Sequence, residues 1–319
     1  MKTALIIGIG GNFGSEMARA LKQQGWAIKA LVRNASKAPS GLSAEQIVVG
    51  DAANLADVRQ AAQGVELLVY AANAPYHRWQ QDALAMLEPS LQVAQDQGLR
   101  LLFPGNVYNY SPSDQAIDER VGQQPVTDKG RIRLEMEQRL LAASQQGARI
   151  TLVRAGDFLG LAMQQSWLKM MLKPKGAGWQ MAMPHDSDHV HFWSYLPDLC
   201  ANAALLLHQQ EQQEQQEQSG GSLECWHDPG LALATDAWRQ AFALSGAGVK
   251  FGRFPWWLLR LIAPFHKLLN EVVKMRYLWQ KPVLLDGTKM AQQLGADLQK
   301  TPLAEILAAV MAEQRKLKG

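Results

Sequence analysis

The sequence predicts an α/β fold built on a doubly wound parallel sheet, with a smaller C-terminal domain for a substrate. Three observations predict it. An apolar run, Ala4-Leu5-Ile6-Ile7, leads into the glycine turn Gly8-Ile9-Gly10-Gly11-Asn12-Phe13-Gly14 and out into a helical pattern at Phe13, Met17 and Leu21. Short apolar strands then alternate with amphipathic stretches as far as Arg154. Beyond Arg154 that rhythm gives way to an irregular, tryptophan- and proline-rich region.

The opening turn carries the first functional expectation. Strand, glycine turn and helix together present free backbone N–H groups to a pyrophosphate, as in a Rossmann-type dinucleotide site. Gly8 lets the chain leave the strand, Gly11 lets backbone approach the phosphates, and Gly14 lets helix and strand pack closely. Asn12 and Phe13 complete the cofactor-holding turn.

Gly25 ends the first helix, and Ala27 to Val32 is the second strand. It ends in Arg33, with no Asp or Glu between Gly25 and Glu45. An acidic residue here would bond the 2′-OH of NAD, whereas an arginine pairs with the 2′-phosphate of NADP. NADP is therefore the expected cofactor and NAD the alternative. Ile47 to Val49 is a third strand, followed by Asp51, which can accept from the adenine amino group or serve as a turn residue. Leu67 to Tyr70 is a fourth strand, running into Ala71 and Ala72, small enough to let the nicotinamide-side ribose come close. Leu84 to Gln97 is an amphipathic helix, Leu99 to Phe103 a fifth strand, Asp128 to Gln146 a helix and Arg149 to Val153 a sixth strand.

Farther on, a helix-like stretch at Trp167 to Lys173 and a hairpin joining Trp179–Met183 to His189–Trp193 are expected. The Glu-Gln-Gln repeat from Gln209 to Gln218 reads as a solvated helix tail. Leu223 to Trp226 is a further strand, and Asp286 to Leu294 and Pro302 to Lys316 are closing helices. Residues 1–154 form the dinucleotide domain, rejoined by about 189–226, and 155–188 and 227–319 form the substrate and lid region.

Composition narrows the function. The chain has 319 residues, 47% apolar and 19% charged, with a net charge of +3. No basic stripe interleaved with aromatics speaks for nucleic acid. Cys200 and Cys225 lie far apart, as reduced core residues of a cytoplasmic protein would. The apolar run Phe254 to Phe265 contains Arg260 and two prolines and is too short to span a bilayer, so no membrane partner is expected. The wider segment to Trp279, with three tryptophans and several cations, reads foremost as core packing of the smaller domain.

The ordered set of Gly8-x-x-Gly11-x-x-Gly14, Gly50-Asp51, Leu102-Phe103-Pro104-Gly105-Asn106-Val107-Tyr108, Arg154-x-x-Asp157-Phe158-x-Gly160 and His191-Phe192-x-x-Tyr195-x-x-Asp198 resembles the extended short-chain dehydrogenase/reductases. These are NAD-dependent epimerases and dehydratases of nucleotide sugars. The resemblance implies a small polar or sugar-like substrate and a helix-paired homodimer. It also implies a Ser or Thr at the fifth strand end and a Tyr-x-x-x-Lys on the next helix, the Tyr as general acid/base and the Lys lowering its pKa.

This sequence departs from that set. Counting from Val107-Tyr108 puts Pro104 at the Ser/Thr, Lys129 at the Tyr and Arg133 at the Lys, so the chain resembles the atypical branch that lacks the usual triad. Lys129 and Arg133 lie one turn apart on one helix face. Arg133 can bond the cofactor ribose, and Lys129 can transfer a proton if burial and the neighbouring cation depress its pKa. Tyr108 offers a phenol. Asn106, Asp157 (where the family has an Asn) and His191 are the substrate candidates. His185, His189 and His191 with Asp186 and Asp188 form the densest ionisable cluster, read as substrate-facing or loop polarity and not as a metal site. An NAD(P)-dependent oxidoreductase or epimerase/dehydratase-like enzyme is the first reading, and a non-catalytic NAD(P)-binding sensor the alternative.

Overall fold

The structure is a computed structural model that describes residues 1–161, 166–176, 178–185, 189–214 and 221–316. Asp186, Asp188 and the end of the Glu-Gln-Gln repeat from 215 lie outside the described residues.

The first half alternates strands and helices except where β3 follows β2: β1 (Thr3–Ile7), α1 (Asn12–Gln23), β2 (Ala27–Val32), β3 (Ile47–Val49), α2 (Leu55–Ala61), β4 (Leu67–Tyr70), α3 (Trp79–Gln97), β5 (Arg100–Gly105), α4 (Asp128–Gln145) and β6 (Arg149–Arg154). The second half contains β7 (Asp157–Leu159), α5 (Trp167–Met171), β8 (Leu172–Lys175), β9 (Gly178–Met183), β10 (His191–Tyr195), α6 (Leu196–Glu214) and β11 (Ser222–His227). It closes with β12 (Leu231–Leu233), α7 (Thr235–Leu244), β13 (Val249–Arg253), α8 (Trp256–Ile262), α9 (Lys267–Lys274), α10 (Thr288–Leu294) and α11 (Leu303–Lys316).

Seven strands form one parallel sheet in the order β3-β2-β1-β4-β5-β6-β11. The strand order reverses between β1 and β4, and such a switch point opens a crevice at the carboxyl ends of the strands. Both faces are covered, which is why β1 reads as an unbroken apolar run. Leu5 and Ile7 point into a layer shared with Leu87 and Leu140, whereas Ala4 and Ile6 point into the opposite layer with Met17, Leu199 and Met290. The fold class is as the periodicity predicts.

The smaller region has its own core, with Trp179, Trp193, Trp238, Trp256 and Trp279 buried together. Two three-stranded sheets frame it, β12-β10-β7 and β13-β9-β8. The expected hairpin is corrected here. The partner of β9 is β8, antiparallel, with β13 parallel on its other side, while β10 pairs with β7 and β12. The turn sits at Gly176 and Gly178, where Gly176 has φ +58°, a conformation that L side chains avoid. No helix among the described residues is long and apolar enough to cross a membrane.

The reading of Phe254 to Trp279 as core is also corrected in part. Phe254, Trp256 and Trp279 are buried, but Trp257 is 68% and Phe265 91% exposed. Periodicity places residues on a face without saying whether anything covers that face.

Candidate active site

The glycine turn is shaped by contact distances. Gly8 has φ +92°, and a Cβ there would lie 2.5 Å from the backbone of Ala71. A Cβ on Gly14 would lie 2.3 Å from the Gly8 carbonyl oxygen. Both glycines are therefore required for β1, β4 and α1 to meet. Gly11 caps α1 in an extended conformation and has no side chain to bond over the helix end, and the first turn holds no acidic residue. The backbone donors of that turn and the positive end of the helix dipole suit an anionic group. Phe13 stacks on Phe158 at 6.5 Å, tying the turn to the segment that carries Asp157.

At the other end of the crevice, β2 and β3 finish side by side, Val32 pairing with Val49. Arg33 and Asp51 leave these adjacent strand ends. Arg33 is exposed and forms no ion pair with a described residue. Asp51 accepts from the Ala53 N–H at 2.9 Å through one oxygen, while its own N–H donates to Asp57 at 2.8 Å. Its side chain thus shapes the turn into α2, whose cap is Asn54.

The second cluster follows β4, β5 and β6. Asn106 does not reach outward with its oxygen, which accepts from the Tyr108 N–H at 3.0 Å and caps a short turn. The Tyr108 and Tyr76 hydroxyls lie 2.9 Å apart. Burial pushes the Tyr108 phenol well above its usual pKa, and Tyr76 and the Asp157 carboxylate raise it further. Burial raises Tyr76 as well. The pair is therefore neutral at ordinary pH and holds its protons more tightly than a free phenol does.

Lys129 has the burial that the sequence leads one to expect, but its neighbour is a carboxylate and not a cation. Its ammonium donates to Glu271 of α9 and to the Tyr76 carbonyl oxygen, the latter at 3.2 Å. It also sits over the Tyr76 and Trp79 rings at 5.1 and 5.8 Å. Arg133 is not its partner. That guanidinium lies between the Trp79 and Phe103 rings, at 5.0 and 5.5 Å, and donates to the Pro104 carbonyl oxygen at 3.3 Å. Position 104 thus offers a backbone acceptor where the sequence resemblance implies a hydroxyl. Burial lowers the Arg133 pKa, and its Nε is buried without a hydrogen-bond partner.

Asp157 and His191 meet directly, with Nε2 of the imidazole 2.7 Å from a carboxylate oxygen. Nδ1 of the same ring lies 3.1 Å from the Leu278 carbonyl oxygen, and the ring stacks on Trp279 at 3.7 Å. His189 also reaches the Leu278 oxygen, at 3.1 Å, and burial lowers its pKa to about 4. Among the described residues no three His, Cys, Asp or Glu side chains converge as metal ligands.

Several participants escape a motif count. Tyr76 follows the small-residue end of β4, and Glu271 lies in the irregular region, so only folding brings them to Tyr108 and Lys129. The sequence does hold one Tyr-x-x-x-Lys spacing, Tyr277 to Lys281, far beyond the register counted from β5. Tyr277 is half-buried beside Thr127, within the electrostatic reach of Asp157 and Tyr76, and burial raises its pKa. Lys281 is exposed and plays no part in that shift. Beneath the cluster Arg154 grips Glu137 through two bonds of 2.8 and 2.6 Å and donates to the Asn106 carbonyl oxygen at 2.7 Å. Glu137 more than offsets the desolvation of this buried arginine, whose pKa is raised.

Residues 8–110 match the family model described as NAD(P)H-binding. Among curated proteins none matches the sequence. The fold is similar to that of a UDP-glucose 4-epimerase from Thermus thermophilus, solved in complex with NAD, at 16% identity over 98% of this chain and 99% of that one, TM-score 0.71. It is similar to a putative epimerase from Burkholderia cenocepacia J2315 at 17% identity, over 99% and 98% of the two chains, TM-score 0.74. The terminal R domain of the myxalamid PKS-NRPS pathway matches at 16% identity, over 99% and 91%, TM-score 0.71. From the glycine turn to just beyond β5 the chain is thus similar to an NAD(P)H-binding family, and nearly its whole length shares the fold of these structures.

Proposed function

We propose that the protein is an NADP(H)-dependent oxidoreductase or epimerase of the atypical extended short-chain dehydrogenase type, acting on a polar or sugar-like substrate. The observation that carries this is the α1 N-terminus, capped by Gly11 with no side chain, behind a turn in which Gly8 and Gly14 admit none. Gly8, Gly11, Asn12, Phe13 and Gly14 hold the pyrophosphate, Arg33 pairs with the 2′-phosphate, and Asp51, through its second oxygen, meets the adenine. Ala71 and Ala72 leave room for the second ribose, which Arg133 bonds. The NAD named with several similar structures speaks for the cofactor class. Arg33, with no ion pair among the described residues, speaks for the phosphorylated form.

The nicotinamide supplies or accepts a hydride. The remaining task is a proton on the substrate oxygen, and the chain offers three groups. Lys129 is tied to Glu271, and Tyr108 holds its proton against Tyr76. The Asp157–His191 pair is the better proton carrier, because its imidazole faces two acceptors. Asn106 positions this end through its backbone.

Fluorescence titration with NADPH and NADH, followed by turnover on UDP-sugars and simple carbonyl compounds, tests the reading. Tighter NADPH binding and consumption of one substrate class are expected; binding of neither nucleotide overturns it. Tight binding without turnover across the panel points to the second reading, a cofactor-binding sensor, which the sequestered Lys129 and the raised phenols favour.

A further inference from the structure

Six of the thirteen exposed large hydrophobic side chains among the described residues fall within residues 257–268: Trp257, Leu258, Leu261, Ile262, Phe265 and Leu268. They lie along α8, the short turn Ala263–Phe265 and the start of α9. The inner side of this hairpin is anchored. Trp256 donates to the Pro184 carbonyl oxygen at 2.7 Å, Ala263 is buried, and Glu271 reaches Lys129. The outer side has Trp257, Leu261 and Phe265 at four-residue spacing, 68%, 64% and 91% exposed. A contiguous apolar ridge of this kind is uncommon on a surface that faces only water.

Charge says what covers it. From Val249 to Lys281 there are seven Lys and Arg residues and a single acid, Glu271. Glu271 is already paired with Lys129 and Lys274. Arg253, Arg260 and Lys267 are exposed and form no ion pair with a described residue. A second copy of the hairpin laid on the first would set cation against cation. An anionic lipid surface offers hydrocarbon to the ridge and countercharge to its rim, with Trp257 at the level that interfacial tryptophans prefer.

We propose that the α8–α9 hairpin docks this ridge, through Trp257, Leu261 and Phe265, into the headgroup–acyl boundary of an anionic bilayer. The contact is peripheral, and it departs from the expectation of no membrane partner, which rested on the lack of a spanning segment. Flotation of the full chain with vesicles of phosphatidylcholine alone, or with about one third phosphatidylglycerol, tests it without cofactor. Binding to the anionic vesicles, weakened by salt, is expected. The triple change Trp257→Ser, Leu261→Ser, Phe265→Ser should lower it at least about tenfold. NADPH titration of the same preparation reports folding and the cofactor site separately. Should the triple variant misfold, Arg260→Glu with Lys267→Glu reads the same contact through charge. Unchanged flotation of a folded variant overturns the proposal. So does a wild type that ignores vesicles but sediments as a dimer that the triple variant loses.

Discussion

His191 stands between two acceptors, the Asp157 carboxylate at 2.7 Å and the Leu278 carbonyl oxygen at 3.1 Å. A neutral imidazole carries one N–H and cannot donate to both. The tautomer therefore decides which of the two the ring meets with its N–H. Nitrogen NMR of His191 reads that tautomer, and Asp157→Asn should move the Nε2 signal far more than the Nδ1 signal. An Nε2 signal that the substitution leaves in place would refute the contact.

Arg33 predicts cofactor choice. A charge-assisted bond to phosphate contributes about 1.5–3 kcal/mol, so Arg33→Ala should weaken NADPH binding roughly ten- to a hundredfold. NADH binding should change little. Equal losses for both nucleotides would assign Arg33 another role.

The glycines of the turn should respond unequally. Gly8→Ala meets the Ala71 backbone and a positive φ, and Gly14→Ala meets the Gly8 carbonyl, whereas a Cβ at Gly10 meets nothing within 4 Å. Strain of at least about 1–3 kcal/mol is expected at Gly8. Denaturant midpoints should fall and NADPH binding should be lost for the first two, with Gly10→Ala close to wild type.

Arg154 and Glu137 are both almost fully buried. Glu137→Ala leaves the guanidinium uncompensated and should cost about 3–5 kcal/mol in urea unfolding. Glu137→Gln, which keeps an acceptor, should cost less.

His227 and Asp228 are neighbours with opposite acid responses. Burial and Arg154 lower His227 to about 4, outweighing the bond to the Ile117 oxygen, which raises it. Between about 6.5 and 4 the unfolded chain takes up a proton that the fold refuses, so stability falls with falling pH, by roughly 3 kcal/mol in full. Burial raises Asp228 to about 6. There the fold keeps a proton that the unfolded chain loses, and stability falls as pH rises from about 4 to 6, again by roughly 3 kcal/mol. Asp228→Asn should therefore raise stability near pH 7 and steepen the acid-side loss. His227→Gln should flatten that loss.

The sheet was legible because its strands are short apolar runs separated by turn chemistry, and Gly8 and Gly14 announce the closest approach of β1, β4 and α1. The candidate site was legible only where chain order matches spatial order. Asp157 and His191 are 34 positions apart and meet because β7 and β10 pair in parallel. Lys129 and Glu271 are 142 apart, across an irregular stretch no period describes. Trp256 and Trp257 are adjacent in sequence, yet one is 8% and the other 68% exposed. Composition alone cannot separate them.

The Lys129–Glu271 contact ties the position of α9 to the charge around Lys129. Glu271 is the only carboxylate on Lys129 among the described residues, so lifting α9 leaves a buried ammonium without its counterion, at a cost of several kcal/mol. A ligand that brings its own anionic oxygen to that place removes the cost. A neutral ligand of the same shape does not, so the ion pair couples the seat of α9 to charge and not to shape.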